Sequence, residues 1–452
     1  MRLWMKILLV AGMTLAILVP LTMIRGVINE RQTHRMEAVQ EVAQSYAGAQ
    51  AFAGPVLVVP YSERTWVEEK GEDGVVREVE RWQDRRWVFF PETLELSGPL
   101  KPDTRRLGLH EVRVYEWDGV AEARFDAPIP ATPEGDARRI GKPWLSYGIA
   151  DVRGLGGQPS VTLDGRTVAV EEGLGSRNGN GIHVRLDAPL PGARLAFESR
   201  MAFLLAGTES LSLAPLGKQN DFSIASGWPH PRFGGSFLPR GRDVRPDGFT
   251  ARWQVASVAT AAQRQYLDGA SLPGEPTRDP HGDARGTLDV VQVSLVDPVN
   301  VYSKADRATK YGLLFVLLTF VGFFVFELVK HLPIHPIQYG LVGLALAIFF
   351  LLLVSLSEHI AFGWAYLAAS VACLGLIGFY LAAVLRSAWR GWGFAAMLGL
   401  LYAALYGLLV SEDNALVLGS GLLFVVLAAL MTVTRKVDWY QLARGGQAAP
   451  HA

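Results

Sequence analysis

From Ala308 to Leu385 the chain consists of three apolar runs separated by two short polar joints. Tyr311–Val329 ends at Lys330-His331-Leu332-Pro333-Ile334-His335-Pro336, Ile337–Ser357 ends at Ser357-Glu358-His359, and Ile360–Leu385 ends at Arg386. At about 1.5 Å of rise per residue, each run is long enough to cross a bilayer. Two further runs follow, at about 392–410 and 415–434, and an earlier one, Ile7–Ile24, lies behind Arg2 and Lys6. A charged start before an apolar core has the form of an export signal. This core is longer than that of a cleavable signal, contains Pro20, and meets Arg25 with no small-x-small site beside it, so it reads as an uncleaved anchor.

The pattern predicts an anchor helix over 1–27 and a membrane-proximal helix over 28–50, with Met36, Val39, Ala43 and Tyr46 on one face. Residues 307–436 read as a five-helix transmembrane domain (about 311–329, 337–357, 360–385, 392–410 and 415–434), and 437–452 as a cytoplasmic tail. Between the helices, 51–306 changes character. Short alternating or β-branched runs such as Val56-Leu57-Val58-Val59, Trp87-Val88-Phe89-Phe90 and Ile182-His183-Val184-Arg185-Leu186 recur between Gly, Pro and Asp clusters. Asp164-Gly165 separates Ser160–Leu163 from Arg166–Val170, a strong hairpin signal. The expected fold is therefore α+β: six transmembrane helices, with a large antiparallel β-rich domain inserted between the first and second. Glu63–Arg86, rich in both charges, reads as a long exposed hairpin or loop, and Pro273–Arg285 as another loop.

Charge decides the orientation. The total is neutral, 43 basic against 43 acidic residues, which argues against a dedicated nucleic-acid binder. With the N-terminus in the cytoplasm, the short joints carrying Lys330, Arg386, Arg390, Arg435 and Lys436 all fall inside. Ser357-Glu358-His359 and Ser411-Glu412-Asp413-Asn414, which carry acid and no Lys or Arg, fall outside with the β-rich domain. The opposite orientation inverts every one of them. The single cysteine, Cys373, lies within an apolar run, so no intrachain disulfide and no cysteine-based zinc site can form.

Few residues suggest chemistry. Glu327, near the inner end of its span, is either a buried proton or ion site or a snorkelling carboxylate partnered by Lys330, and its position close to the interface favours the second. Glu358 and His359 stand at the outer mouth, where a histidine titrating near pH ~6.5 would report external pH. Adjacent helical residues do not face one another, which favours a simple polar turn. His331 and His335 bracket Pro333, which breaks the helix that would align them on a metal. Trp228-Pro229-His230-Pro231-Arg232-Phe233 continues to Pro239, and is either a groove for peptide or glycan or a rigid loop packed on the sheet. The nucleophile elbow Gly-x-Ser-x-Gly, the phosphate loop and the His-Glu-x-x-His zinc pair are all absent from the sequence. An enzyme is disfavoured, and no catalytic residue, metal or cofactor is expected.

Val293–Tyr302 leading into Arg307–Tyr311, then Phe326-Glu327-Leu328, His335–Tyr339 and Leu353–Ile360, together resemble the CreD family of bacterial inner-membrane proteins, also called cell-envelope integrity proteins. Ala47–Gln50, Gly54–Leu57, Asp151–Gly154 and Trp228–Pro239 extend the resemblance over nearly the whole chain, while Glu63–Arg86 is individual to it. The resemblance implies an inner-membrane protein with a large periplasmic domain, tied to envelope stress and to altered tolerance of colicins or β-lactams. It brings no catalytic residue. The expected function is non-enzymatic support of envelope integrity, with the bilayer and an envelope protein, peptide or glycan as partners. The alternative is a transporter or flippase-like protein for a small or lipid-linked substrate. The oligomeric state is left open.

Overall fold

The computed structural model describes residues 3–70, 76–132, 137–175, 179–275, 286–295, 301–330, 335–411 and 415–435. The expectations for His331–Ile334, Glu412–Asn414, the tail beyond Arg435 and most of the loop Pro273–Arg285 lie outside these residues. The chain divides into two units, Met1–Arg35 with Val299–Ala452, and Met36–Pro298. The first boundary falls within α1 (Leu3–Ser45), one unbroken helix with Pro20 inside it.

The second unit is a sandwich. Its strands begin with β1 (Gln50–Lys70), β2 (Val76–Phe89), β3 (Thr93–Leu107), β4 (His110–Pro128), β5 (Arg138–Ile140) and β6 (Trp144–Ile149). They continue with β7 (Ser160–Leu163), β8 (Arg166–Val168), β9 (Glu171–Glu172), β10 (Gly181–Arg185), β11 (Arg194–Thr208) and β12 (Ser210–Ala214). The last are β13 (Gln219–Ser226), β14 (Pro231–Gly235), β15 (Gly241–Arg245), β16 (Gly248–Ala256) and, after α2 (Ala262–Asp268), β17 (Val291–Leu295). One sheet runs β14-β17-β12-β1-β6-β10-β9, with β2 and β5 also on β1; the other runs β15-β16-β13-β3-β4-β11-β7-β8.

The alternation expected of strands is plain in β4. Tyr115, Trp117, Ala121, Ala123 and Phe125 point inward, while Glu116, Asp118 and Arg124 point out. Inward residues of both sheets share one core, in which Phe52 stacks on Phe203 at 5.1 Å and Trp117 stands edge-on to Phe203 at 5.1 Å. The other face of the first sheet is covered through Ala262, Leu272, Leu288 and Val290. Asp164 (φ 46°) and Gly165 (φ 78°) form the turn between β7 and β8, as the Asp-Gly pair predicts. Glu63–Arg86 is a hairpin of β1 and β2, paired from Leu57↔Phe89 out to Lys70↔Val76.

Two expectations need correction. The β region is not purely antiparallel: β1 pairs parallel with β12, and β3 with β13. Both pairs join strands distant in sequence, so the intervening chain is long enough to return to the same end of the sheet. The buried face of the helix leading into the sandwich is also displaced from the expected one. Ala38 and Val42 are buried against Val112 and Val114, with Val39 and Tyr46 beside them, whereas Met36 is 58% exposed.

A buried polar clasp joins the end of α1 to the sandwich. The Gln50 amide donates to the carbonyls of Asp151 and Ala206, each at 2.9 Å, and accepts from the Asp151 N–H at 3.2 Å. The Asp151 carboxylate accepts from the Gly48 N–H at 3.1 Å and from the Arg153 guanidinium at 2.6 and 2.9 Å. Arg153 in turn donates to the Gln44 carbonyl at 2.6 Å and the Ala43 carbonyl at 3.3 Å. The last carbonyls of a helix lack partners of their own and favour a cation, so Arg153 meets both needs. Gly154 is required by close approach: a Cβ there would lie 2.2 Å from the Ala206 oxygen and 2.4 Å from Gln50 Nε2. Exposed ion pairs elsewhere on the sandwich, such as Arg106–Glu111 at 2.8 Å, are worth about 0–1 kcal/mol each, whereas a hydrogen bond to a buried charge such as the Asp151 carboxylate is worth about 1.5–3. The clasp and the core decide the fold, not the surface charges.

The first unit is a helical bundle of α1 residues with α3 (Val301–Lys330), α4 (Pro336–Ser357), α5 (Phe362–Val384), α6 (Ala388–Val410) and α7 (Ala415–Thr434). Among the described residues, α1 and α3–α6 are long and apolar enough to cross a membrane, and the apolar part of α7, Leu416–Thr432, is shorter. The core gathers Ile17, Leu21, Phe320, Phe323, Phe349, Phe350, Tyr366 and Tyr402. α5 and α6 approach closely because Gly391 stands where a Cβ would lie 2.4 Å from the Ala382 nitrogen.

Burial pushes the Asp151 carboxyl up, but the hydrogen bonds from Arg153 and Gly48 outweigh it and hold it below the ordinary range. A depressed carboxyl stabilises the fold above its unfolded pKa of ~3.9, and that contribution is lost as pH falls through the folded value. Asp151→Ala is expected to cost about 2 kcal/mol or more, lowering the melting midpoint of the sandwich by about 4–8 °C at neutral pH. The variant should also lose less stability than the parent on acidification below pH ~4. Thermal melts of the purified full chain, followed by near-ultraviolet circular dichroism at several pH values, check both.

Candidate functional site

Glu327 sits one turn before the end of α3 and Tyr339 just inside the start of α4. α3 and α4 pack on each other, and Glu327 and Tyr339, equally far from the facing ends of the two helices, meet. The Tyr339 hydroxyl donates to Glu327 Oε2 at 2.9 Å, and both residues are buried. Phe320 and Phe323 wall the phenol at 5.8 and 4.7 Å, and Phe394 backs Phe323 at 5.1 Å. Sequence alone pairs Glu327 with Lys330, whose side chain is outside the described ones; the symmetry of Glu327 and Tyr339 about the joint is the signal that finds the phenol.

His335, at the N-terminus of α4, is exposed and serves as its cap. Its Nδ1 accepts from the Ile337 N–H at 3.3 Å, and the His335 backbone N–H donates to Gln338 Oε1 at 3.1 Å. Glu358 and His359, at the other end of α4, look to different partners. Glu358 lies 3.5 Å from the Arg31 Nε, while the His359 Nδ1 lies 3.1 Å from the Ser355 carbonyl. Close to the same end of the bundle, Asp306 is shared by Arg25 at 3.3 Å and Lys310 at 2.7 Å. Sequence reasoning missed Asp306, although its spacing of four from Lys310 on a helix is a recognisable pair.

In the sandwich, the Arg113 guanidinium lies 4.9 Å over the Trp228 ring, and the indole N–H donates to the His230 carbonyl at 3.0 Å. The rings of Trp228 and His230 meet edge-on at 6.4 Å. Three residues on, Phe233 enters the core against Phe249 and Trp253 at 5.6 and 5.8 Å, and Pro231–Gly235 is the edge strand β14. The structure thus brings Trp228 and His230 together as one packed corner. Glu327, His335, Glu358 and His359 belong to the other unit. Among the described residues, no group of three or more His, Cys, Asp or Glu could hold a metal ion.

The family model described as "Inner membrane protein CreD" matches residues 2–440. The chain belongs to the CreD family. It is 35% identical over 433 residues to the inner membrane protein CreD of Escherichia coli (strain K12), covering 95% of this chain and 92% of that relative. Family membership and the apolar helices together make it a multi-pass inner membrane protein. Among solved structures, an M1 zinc metallopeptidase of Deinococcus radiodurans aligns at a TM-score of 0.19 and 9% identity over 45% of this chain and 42% of that one. A mutant of the same peptidase, bound to a Tyr-Ser-Ala substrate, aligns at a TM-score of 0.19 and 11% identity over 80% and 95%. At that level the likeness says nothing of fold or activity.

Within this CreD-family chain the Glu327–Tyr339 contact makes a direct prediction. Tyr339→Phe deletes one hydrogen bond to a buried carboxyl and should lower stability by about 1–3 kcal/mol. Glu327→Gln keeps an acceptor for the phenol and should cost less than Glu327→Ala. Thermal unfolding of the purified variants in detergent checks the order; equal midpoints for Tyr339→Phe and the parent would show that the bond contributes nothing.

Proposed function

We propose that this CreD-family chain supports the integrity of the bacterial envelope without catalysing a reaction, its β-sandwich binding an envelope protein, peptide or glycan on the periplasmic side. In this reading six helices cross the inner membrane, both termini are cytoplasmic, and the sandwich is inserted between the first and second spans. The observation that carries it is the division of the chain. A sandwich with its own closed core is clasped to the end of α1, and most of the other described residues lie in long helices with apolar spans. The β1–β2 hairpin offers it a contact surface: Trp66 is exposed, and Trp82 lies between Arg64 and Arg139 at 5.3 and 4.4 Å. The short joints with Arg386, Arg390 and Arg435 support the orientation.

The buried Glu327–Tyr339 pair favours one second reading, a proton-coupled carrier for a small or lipid-linked substrate. Complementation of a strain lacking the chain separates the two. Envelope tolerance retained by Glu327→Gln and lost on deleting Glu63–Arg86, at unchanged protein level, supports the binding reading. Tolerance lost with Glu327→Gln and kept by the hairpin deletion supports the carrier.

Orientation has its own test. In a Cys373→Ser background, a membrane-impermeant maleimide should label Glu80→Cys and Ser411→Cys in cells with a permeabilised outer membrane. It should reach Ser387→Cys only after the inner membrane is opened, and the reverse pattern contradicts the topology.

A further inference from the structure

On the outer face of the first sheet a small apolar pocket stands open between two coverings. Val58 pairs with Val88 on one side and Trp144 on the other, so β1, β2 and β6 show these three side chains to the same face. α2 covers that face further along through Ala262, and its last residues bring Tyr266 and Leu267 to the opening. The opposite wall is Leu174, in the loop between β9 and β10. Its carbonyl accepts from the Trp144 indole N–H and the Ser146 hydroxyl, each at 3.0 Å, and Tyr266 stands edge-on to Phe90 at 5.9 Å. The walls are held by contacts of their own, so the cavity of about 180 Å³ is formed before anything enters it.

Its chemistry is one-sided. Six of the eight lining residues are Val58, Val88, Trp144, Leu174, Tyr266 and Leu267, and Ser146 gives its hydroxyl to Leu174. The eighth is Arg86, which is exposed and, among the described residues, has no carboxylate within ion-pair distance. The acids on the same face have other partners. Glu80 pairs with Arg64 at 3.2 Å, Glu171 with Arg185 at 3.1 Å, and Asp84 accepts from the Ser62 hydroxyl at 2.6 Å.

A small-molecule site commonly measures roughly 300–1,000 Å³, so this one has room for a single side chain and not for a cofactor or a sugar chain. An apolar side chain with a carboxylate beside it is what the last residue of a peptide presents, and a guanidinium takes a carboxylate through two parallel N–H donors. The preceding residues have a track to follow. Arg86, Asp84 and Trp82 share the face of Val88 by strand alternation, and at ~3.3 Å per residue Trp82 lies roughly 13 Å beyond Arg86.

We infer that this pocket binds the free C-terminus of a peptide that ends in an apolar residue, with the side chain between Val58, Trp144 and Leu267 and the α-carboxylate on Arg86. The inference rests on the reading of the sandwich as a binding domain and narrows its ligand to a peptide.

The test uses the purified full chain in detergent and fluorescein-labelled pentapeptides, followed by fluorescence anisotropy. The probes are Gly-Ser-Gly-Ser-Leu with a free carboxyl end, the same peptide as its C-terminal amide, and the free acid ending in Gly. The free acid ending in Leu should bind at least about tenfold more tightly than the amide, the worth of a hydrogen bond to a charged group. It should exceed the Gly-ended acid by about the same factor, the worth of burying a Leu side chain. Arg86→Gln should bind acid and amide alike at an unchanged melting midpoint, and Arg166→Gln, on the other sheet, should keep the preference. Octanoate, an apolar carboxylate without a peptide chain, should not displace the Leu-ended acid at equal concentration. Equal affinity of the parent for acid and amide, or for Leu and Gly ends, overturns the inference. So does a preference that survives Arg86→Gln or is lost in Arg166→Gln, or displacement by octanoate. None of these results bears on the wider reading, which falls only if deleting the hairpin leaves envelope tolerance intact.

Discussion

The carboxylate of Asp151, held between the Gly48 N–H and the Arg153 guanidinium, is the contact on which the sandwich depends for its attachment to α1. Each member of that network solves a problem for another. Arg153 covers the Gln44 and Ala43 carbonyls that α1 leaves open, Asp151 neutralises Arg153, and Gln50 satisfies the Asp151 and Ala206 backbone. The Thr208 hydroxyl adds a bond to the Ala47 carbonyl at 2.6 Å. Gln50 and Asp151 are buried, so losing either leaves its partners unpaired with little access to water, while Arg153 reaches solvent. The exposed ion pairs on the sheet faces lie in water and lack that leverage.

The helical bundle follows the same logic in a drier setting. Thr309 and Thr319 return their hydroxyls to the carbonyls of Ala305 and Phe315, each at 2.9 Å, and the Tyr366 hydroxyl reaches the Tyr402 carbonyl at 2.7 Å. In hydrocarbon an unpaired polar group costs several kcal/mol, so each is answered within the protein. Glu327 differs from these because its side chain can ionise. Its pairing with Tyr339 makes it the point in the bundle where structure and chemistry meet most closely. Arg25, Asp306, Lys310, Arg31 and Glu358 form a second cluster of ionisable side chains in the bundle.

Legibility followed the range of the interaction. The Asp164-Gly165 turn is a local pattern and stands where the pattern puts it, whereas α3 begins at Val301, ahead of the apolar run that marks it in the sequence. Met36 is exposed because a helix carries several stripes of similar spacing, and only Val112 and Val114 on a distant strand select the one through Ala38 and Val42. The parallel pairs β1 with β12 and β3 with β13 have no local signal, since the partners are far apart in the chain. Asp151–Gly154 was visible only as part of a resemblance; its role depends on Gln50 and Gly48, about a hundred residues away. Of the candidate residues, His335 became a helix cap and Trp228 a packed corner, roles that depend on backbone partners a sequence does not display.

Amide hydrogen exchange over Tyr46–Gln50 in the full-length chain tests the clasp most directly. The Gly48 N–H, bonded to Asp151, and the Thr208 N–H, bonded to the Gly48 carbonyl at 3.0 Å, should exchange as slowly as the central strands β4 and β11. Exchange of Gly48 as fast as the exposed β1–β2 hairpin would contradict the account, because α1 would then end without a fixed seat on the sandwich.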